Sequence, residues 1–528
     1  MRGPFRVSGA SSGPSVPLAK GLDVTYLTTP IYYVNGAPHI GHAYTTVIAD
    51  ALARWHRATG RRARLITGTD EHGLKVQRAA EAAGVAPGTL AEATAGRFRS
   101  AWDRLGIGYD DFVRTTSERH RAAVTELLQR VYDGGWVRPG RYEGRYCVGC
   151  EAYVAAETCP IHRRPTEQVS EDNWFFRLSA FEARLADWFT RFPDAVRPAS
   201  RRNEALGLLR QGLTDFSISR SSITWGVPLP WDPAQVAYVW FDALGAYLTA
   251  AGWPGDRFGE WWPAHHVIGK DILRFHAVYW PAMLFAAGLE PPSRITVHGF
   301  LLGGSGDGAG KISKSGAPAE DLDDLVAEFG PDGLRFHLLR HCPVGPDGQF
   351  SREAVLASYN ADLANTLGNL VARVTALTAS RHDSIAPAAD PASPLSTVAA
   401  RCVDETGRAW DDVAPSDALA AVWRLVAAAN SYLVARRPWA EPPGDPAAAY
   451  AVGDVLEVLR IAAVLAAPAI PRAAAEIWRR IGAPDPLDAA RVPDDVVWGD
   501  RLAGARVRRG APLFPRLVAP VLAGVQDG

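Results

Sequence analysis

Lysine is scarce in this 528-residue chain. Only Lys20, Lys75, Lys270, Lys311 and Lys314 break the run of arginine among its 56 basic residues. Cysteine is equally rare, and five thiols, an odd and small number, exclude a disulfide-stapled secreted scaffold. Neither sign of charge prevails: 57 acidic residues leave a net charge of −1. That excludes a polycationic nucleic-acid coat but leaves room for a local basic groove. No stretch reaches the roughly 18 uncharged apolar residues of a membrane span. Met1 to Lys20 is rich in Gly, Ser and Pro and has no signal-peptide core. A cytoplasmic protein with no membrane contact is therefore expected. There is no internal repeat, and no Ser/His/Asp order or paired-carboxylate motif stands out.

What is present is an ordinary globular composition, 47% hydrophobic and 21% charged, long enough for about three or four domains. Val24–Tyr33 is β-branched and aromatic, as a buried strand requires. The segment from His42 to Gly60 carries apolar residues at helical spacing, and RARLITGTDEHG reads as a second strand and its loop. Strand, helix, strand begins a parallel α/β layer. Residues 134–235 break the pattern with clustered Cys and His, then aromatic and Arg-rich stretches, and look like an insertion. AYVWFDALGAYL and HHVIGKDILRFHAVYWPAML resume it. From about Ala354 onward, long apolar faces separated by Pro- and Asp-rich breaks predict an all-helical unit.

Two motifs suit phosphate. Pro38-His39-Ile40-Gly41-His42 lies between a strand and a helix, where helix-end N–H groups and imidazole donors favour an anion. Lys311-Ile312-Ser313-Lys314-Ser315 follows the glycine-rich GGSGDGAG, so two lysines on a closing loop can converge on a polyphosphate. This is not a Walker A loop, because Ser305 and Ile312 stand where that pattern needs glycine and Ser/Thr. A third motif, Cys147-x2-Cys150-x8-Cys159-x2-His162, has the spacing of a tetrahedral zinc knuckle. Four protein ligands leave no open position, so the Zn2+ it predicts is structural. Cys342 and Cys402 read as buried thiols. A fourth group is aromatic and apolar with isolated polar members: Ile31, Tyr33, Asp70, Trp240, Ala243, Leu244, Tyr247, Ile272, Phe275, His276 and Trp280.

HIGH at 39–42 and KISKS at 311–315 resemble the two signatures of class I aminoacyl-tRNA synthetases. TTPIYYVNGAPHIGHAYTT, LITGTDEHG, YCVGC with CPIH, WGVPLPWD, YVWFDA, IGKDI and RRPW resemble the methionyl-tRNA synthetases within that class. The resemblance runs from about residue 25 to residue 440. It implies an α/β fold: a Rossmann-type parallel-sheet catalytic domain split by a zinc-knuckle connective insertion, then an all-α anticodon-binding domain. The expected divisions are a flexible arm (1–21), the catalytic halves (22–133 and 236–315), the insertion (134–235), a stem-contact region (316–360) and the helical domain (361–528). The implied reaction joins methionine and ATP to methionyl-adenylate and pyrophosphate, then transfers methionine to the 3′ end of tRNA(Met), with Mg2+ accompanying ATP.

By the same resemblance His39, Gly41 and His42 hold ATP phosphates, and Lys311 and Lys314 stabilise the transition state. Gly269 and Asp271 contact adenosine and ribose. Asp70 takes the methionine ammonium. Ile31, Tyr33, Trp240, Ala243, Leu244, Tyr247, Ile272 and His276 line the side-chain pocket, with Trp280 behind. Asn369, Arg373, Pro438 and Trp439 read the anticodon. Departures lie at the lysine loop, where Ile312 replaces the usual methionine and Gly316-Ala317-Pro318 replaces Leu-Gly-Asn. No appended C-terminal oligonucleotide-binding domain is seen, so a monomer is expected. Two other readings compete: a specialised or inhibitor-resistant paralogue, and a non-catalytic tRNA-binding paralogue. The intact histidines, signature lysines and Asp70 count against the second.

Overall fold

A computed structural model describes residues 24–148, 156–159, 164–303 and 320–518, and the backbone of 152–154 and 310–311. Six parallel strands form the central sheet: β1 (Val24–Tyr33), β2 (Arg62–Asp70), β3 (Asp111–Arg114), β4 (Val196–Arg197), β5 (His265–Gly269) and β6 (Arg294–His298). Their order is β3-β2-β1-β5-β6-β4. The chain winds outward from β1 in one direction and then the other. A crevice therefore opens at the carboxyl ends of β1 and β5, the place where such sheets bind ligands.

Helix α1 (Ile40–Ala58) joins β1 to β2; α2 (Leu74–Ala83) and α3 (Pro87–Leu105) join β2 to β3; α4 (Glu118–Asp133) follows β3. The insertion then forms an antiparallel sheet of 137–147, 152–154, 167–176 and 216–217. One part of the 134–235 segment returns to the main sheet: β4 pairs with β6, Val196 opposite Ile295. A two-residue strand shows no alternation, so periodicity could not reveal it. Helix α5 (Val239–Ala251) leads back to β5.

The rest is helical, as expected: α6 (Leu322–His341), α7 (Asn369–Arg381), α8 (Pro394–Asp411), α9 (Pro415–Arg436), α10 (Pro446–Ala466) and α11 (Pro471–Ile481). Helix α6 breaks at Gly330, where φ is +68° just before Pro331. By length and composition α9 could cross a membrane, which the sequence did not suggest. Here it packs between α8 and α10 with Leu419, Val422, Leu425 and Val426 in the core.

Two cores cover the two faces of the sheet. One includes α4 and α5. The other runs without interruption from α1 and α3 into the helical domain, and Trp55 of α1 stacks on Trp410 of α8 at 6.0 Å. Helix α1 is thus buried along most of its length. Its Asp50 is fully buried and accepts bonds from Arg54 Nε (2.8 Å) and Gly108 N (2.8 Å). Arg335 Nη1 of α6, itself fully buried, lies 2.7 Å from Asp50 Oδ2. The same guanidinium donates to Ala469 O (3.0 Å) and Pro468 O (2.7 Å), just beyond α10. Burial alone would push the Asp50 carboxyl up, but Arg335 and Arg54 outweigh it and hold it below the usual carboxylate range.

Removing one partner of a buried pair strands the other charge. Arg335→Met is expected to cost about 3–5 kcal/mol, read as a fall in the denaturation midpoint. Asp50→Asn added to it should cost less than it does alone. Additive losses would contradict the pairing.

Candidate active site

The turn after β1 is built by two imidazoles. His39 caps α1, and its Nδ1 accepts from Gly41 N at 3.1 Å. His42 Nδ1 reaches back to accept from His39 N at 3.3 Å. This is the reciprocal arrangement of a capping box, made by histidines. Each Nδ1 is an acceptor, so a neutral ring at either position carries its proton on Nε2. The rings stack at 3.7 Å, which keeps both faces in register. The Gly41 N–H is already used by His39. The donors this turn offers an anion are therefore imidazole edges more than the backbone amide the sequence suggested.

Across the crevice, Gly269 ends β5. A Cβ there would stand 2.7 Å from Asp271 Oδ1, so only glycine leaves that carboxylate in place. Asp271 is exposed and Gly269 buried. His298, opposite Gly269 in the β5–β6 ladder, donates from Nδ1 to Gly299 O (2.7 Å) and accepts at Nε2 from the Thr45 hydroxyl of α1 (2.7 Å). It ties β6 to the histidine-capped helix. The sequence reading missed it; a histidine ending a strand and preceding glycine, as in VHGF, was the available signal. Lys270 Nζ pairs with Asp347 at 2.7 Å and lies 4.4 Å from the Phe300 ring centroid.

The aromatic group converges beside these residues. Asp70 is the last residue of β2, buried, and pairs in register with Tyr33 of β1. Trp240 meets Tyr33 edge-on at 6.5 Å and stacks on Phe275 at 3.8 Å. Tyr247 donates to His276 Nε2 at 2.8 Å, since His276 Nδ1 gives its proton to Ile272 O at 3.0 Å. Behind them Trp280 Nε1 donates to His266 Nε2 at 3.1 Å, and His266 Nδ1 donates to Thr28 at 2.7 Å. Burial holds His276 down at about 4 and His266 well below its ordinary value. The wall is thus aromatic, hydrogen-bonded and uncharged. Ala243 and Leu244 are buried on α5, while Ile31 and Ile272 are half-buried against the same core. His276 lies in a π-helical turn, Phe275–Tyr279, a form often found at functional sites. Lys75 Nζ sits 4.6 Å from the Tyr33 centroid.

Of the lysine loop, only the backbone of Lys311 is described. It pairs with Leu302 in a short sheet with 348–349. Lys314 lies outside the described residues. In the knuckle, Cys147 and Cys159 are buried. Cys147 pairs with Ala152 in a hairpin, and Cys159 N donates to Arg164 O (2.9 Å). Cys150 and His162 lie outside the described residues, among which no group of three metal-ligating side chains occurs.

A separate cluster sits in the helical domain. Asn369 opens α7, exposed, directly after a π-helical stretch, Tyr359–Gly368. Arg373 lies 5.4 Å from the ring centroid of Trp439, which is 42% exposed. Arg381 donates to Pro438 O (3.1 Å) and Trp439 O (3.3 Å), fixing the turn after α9 on the end of α7. Pro438 is buried beneath it.

Comparison with known proteins gives the family. The family model for class I tRNA synthetases (M) matches residues 25–167 and 156–375. The anticodon binding domain of methionyl tRNA ligase matches 399–501. The methionine–tRNA ligase of Streptomyces coelicolor is 42% identical, over 94% of this chain and 97% of its own. That of Thermosynechococcus vestitus is 41% identical, over 94% and 98%. The Mycobacterium tuberculosis methionyl-tRNA synthetase, solved in complex with methionyl-adenylate, superposes with a TM-score of 0.86 at 38% identity, covering 93% of this chain and 100% of the other. Two family models that together span most of the chain, and relatives about 40% identical along nearly their whole length, show that this chain belongs to the methionyl-tRNA synthetase family of class I.

Proposed function

We propose that the chain is a methionine–tRNA ligase that forms methionyl-adenylate from methionine and ATP and transfers the amino acid to tRNA(Met). The observation that carries this is that β1 ends in Tyr33, paired with Asp70 and packed on Trp240 of an aromatic pocket, and runs within six residues into the histidine-capped start of α1. The methionine carboxylate attacks the α-phosphate, and the P–O bond to pyrophosphate breaks. No protein base is needed, so catalysis is positioning plus stabilisation of charge on the phosphates. His39 and His42, with Gly41 between them, together with Lys311 and Lys314, supply that stabilisation. Mg2+ enters with ATP. Gly269 and Asp271 hold the nucleoside, and Asp70 takes the ammonium. Ile31, Tyr33, Trp240, Ala243, Leu244, Tyr247, Ile272 and His276 surround the thioether, which favours aromatic walls. A terminal ribose hydroxyl of tRNA then attacks the adenylate carbonyl and AMP leaves.

Asn369, Arg373, Pro438 and Trp439 read the anticodon. Trp439 offers a ring face already backed by a guanidinium, a stacking platform for an unpaired base. The 134–235 insertion carries one structural Zn2+ on Cys147, Cys150, Cys159 and His162. The buried thiols of Cys147 and Cys159, each placed by its own backbone pairing, fit that role. We read the protein as a cytoplasmic monomer.

Two assays separate the sites. ATP–pyrophosphate exchange should require methionine and fall about 100-fold or more in Lys314→Ala. Trp439→Ala should keep that exchange and lose about 10- to 100-fold in tRNA charging. Exchange with another amino acid, or none at all, would overturn the assignment.

Because the pocket histidine titrates near 4, the KM for methionine should show no ionisation of His276 between pH 6 and 8.5. The sign for stability follows from the same shift. The folded value lies below the roughly 6.5 of a free imidazole, so its contribution is complete above that pH and is lost as pH falls toward 4. A step in KM near neutrality that His276→Asn abolishes would contradict this. Metal analysis of purified protein should give about one zinc per chain, lost in Cys159→Ala. Full occupancy in that variant would remove Cys159 from the ligand set.

A further inference from the structure

A second cluster of titratable side chains lies beneath the pocket and takes no direct part in the chemistry above. Asp242, in the first turn of α5, is 1% exposed and bridges two buried histidines. His72 Nδ1 donates to its Oδ2 at 2.6 Å, and His120 Nε2 of α4 donates to its Oδ1 at 2.8 Å. The other nitrogen of His120 faces the Thr249 hydroxyl at 3.1 Å, whose own proton goes to Gly245 O. Burial alone would push the Asp242 carboxyl up; His72 and His120 outweigh burial and hold it well below the usual range. The cluster is therefore a fixed, ionised joint.

Its position relative to the substrate gives it a use. His72 is two residues from Asp70, and Asp242 sits between Trp240 and Ala243. One side of the joint thus carries the carboxylate for the ammonium, the other the wall for the side chain. The rest of the 70–73 segment is clamped as well. Trp225 Nε1 donates to Glu71 O (2.6 Å), Gly73 N donates to Trp225 O (3.2 Å), and the Glu71 carboxylate binds Arg114 (2.7 Å). On the far side α5 is pressed onto α4 at Gly245, where a Cβ would meet Val124 Cγ2 at 2.8 Å. Neither half can slide without breaking a buried bond.

We propose that His72, Asp242 and His120 are positioning residues that set the distance between the ammonium site and the side-chain wall, and so select the length of the amino acid. This rests on the activity proposed above. One methylene in an apolar pocket is worth about 10- to 200-fold in discrimination, so a joint that yields by a fraction of a methylene spends much of it.

The test compares methionine with ethionine, one methylene longer, by pyrophosphate exchange in the full chain and in Asp242→Asn and His72→Asn. The ratio of kcat/KM for methionine over ethionine is expected to fall about ten-fold in each variant through the methionine and ethionine KM, with the KM for ATP unchanged. Thr249→Val, at the outer end of the cluster, should move the ratio the same way by less, and it keeps the proposal testable if Asp242→Asn does not fold. Equal losses for both amino acids, or a ratio within two-fold of the unmodified chain, would overturn the proposal and leave the activity standing. Absence of methionine exchange in the unmodified chain would overturn both.

Discussion

The architecture depends on one buried charge pair. Asp50 lies in the middle of the helix whose N-terminus holds His39 and His42, and Arg335 lies in the helix that opens the second half of the chain. The guanidinium also satisfies two carbonyls just past α10. A fork of planar donors is what that position requires, because one group must face a carboxylate and two backbone oxygens at once; an ammonium on a flexible stem would not hold the geometry. The pair ties α1 and the helical domain into one packed body. The continuous core through Trp55 and Trp410 supplies area, while the ion pair supplies register, since two apolar surfaces alone can slide.

Much of this was legible in the residues because function leaves local signatures. HIGH opens the helix after β1 and IGKDI ends β5, and strand order alone then places them at the same crevice. The aromatic group was singled out by the resemblance of YVWFDA and IGKDI to the family, since its spacing alone reads as ordinary core. What was not legible depended on contacts far apart in sequence. Arg335 reads as one of many arginines, and Asp50 as one polar residue on a helix. His298 and Thr45 are 253 positions apart. The joint of His72, Asp242 and His120 draws on three elements, and no spacing announces it. Strand β4 was hidden for a different reason: two residues carry no period.

Both proposed recognition sites also share a backbone device. A π-helical turn carries His276, and a longer π-helical stretch ends just before Asn369. Widening one turn rotates every following side chain relative to the helix before it. The part of the helix that packs the core can then keep its own register while the part that faces a ligand takes another. Sequence periodicity averages over such a turn, so these positions were readable as helix but not as the place where the face changes.

The scarcity of lysine now has a physical setting. Arginine serves the surface pairs and the buried fork, where planar bidentate contact is useful, as at Arg78 with Glu167 or Arg114 with Glu71. Lys75 and Lys270 instead stand over the rings of Tyr33 and Phe300 beside the crevice. A compact ammonium over these two rings adds no second flat group, while over Trp439 the planar guanidinium of Arg373 does. Among the described residues, Lys75 and Lys270 therefore stand where a compact ammonium suffices, and arginine fills the positions where a planar fork meets two partners at once.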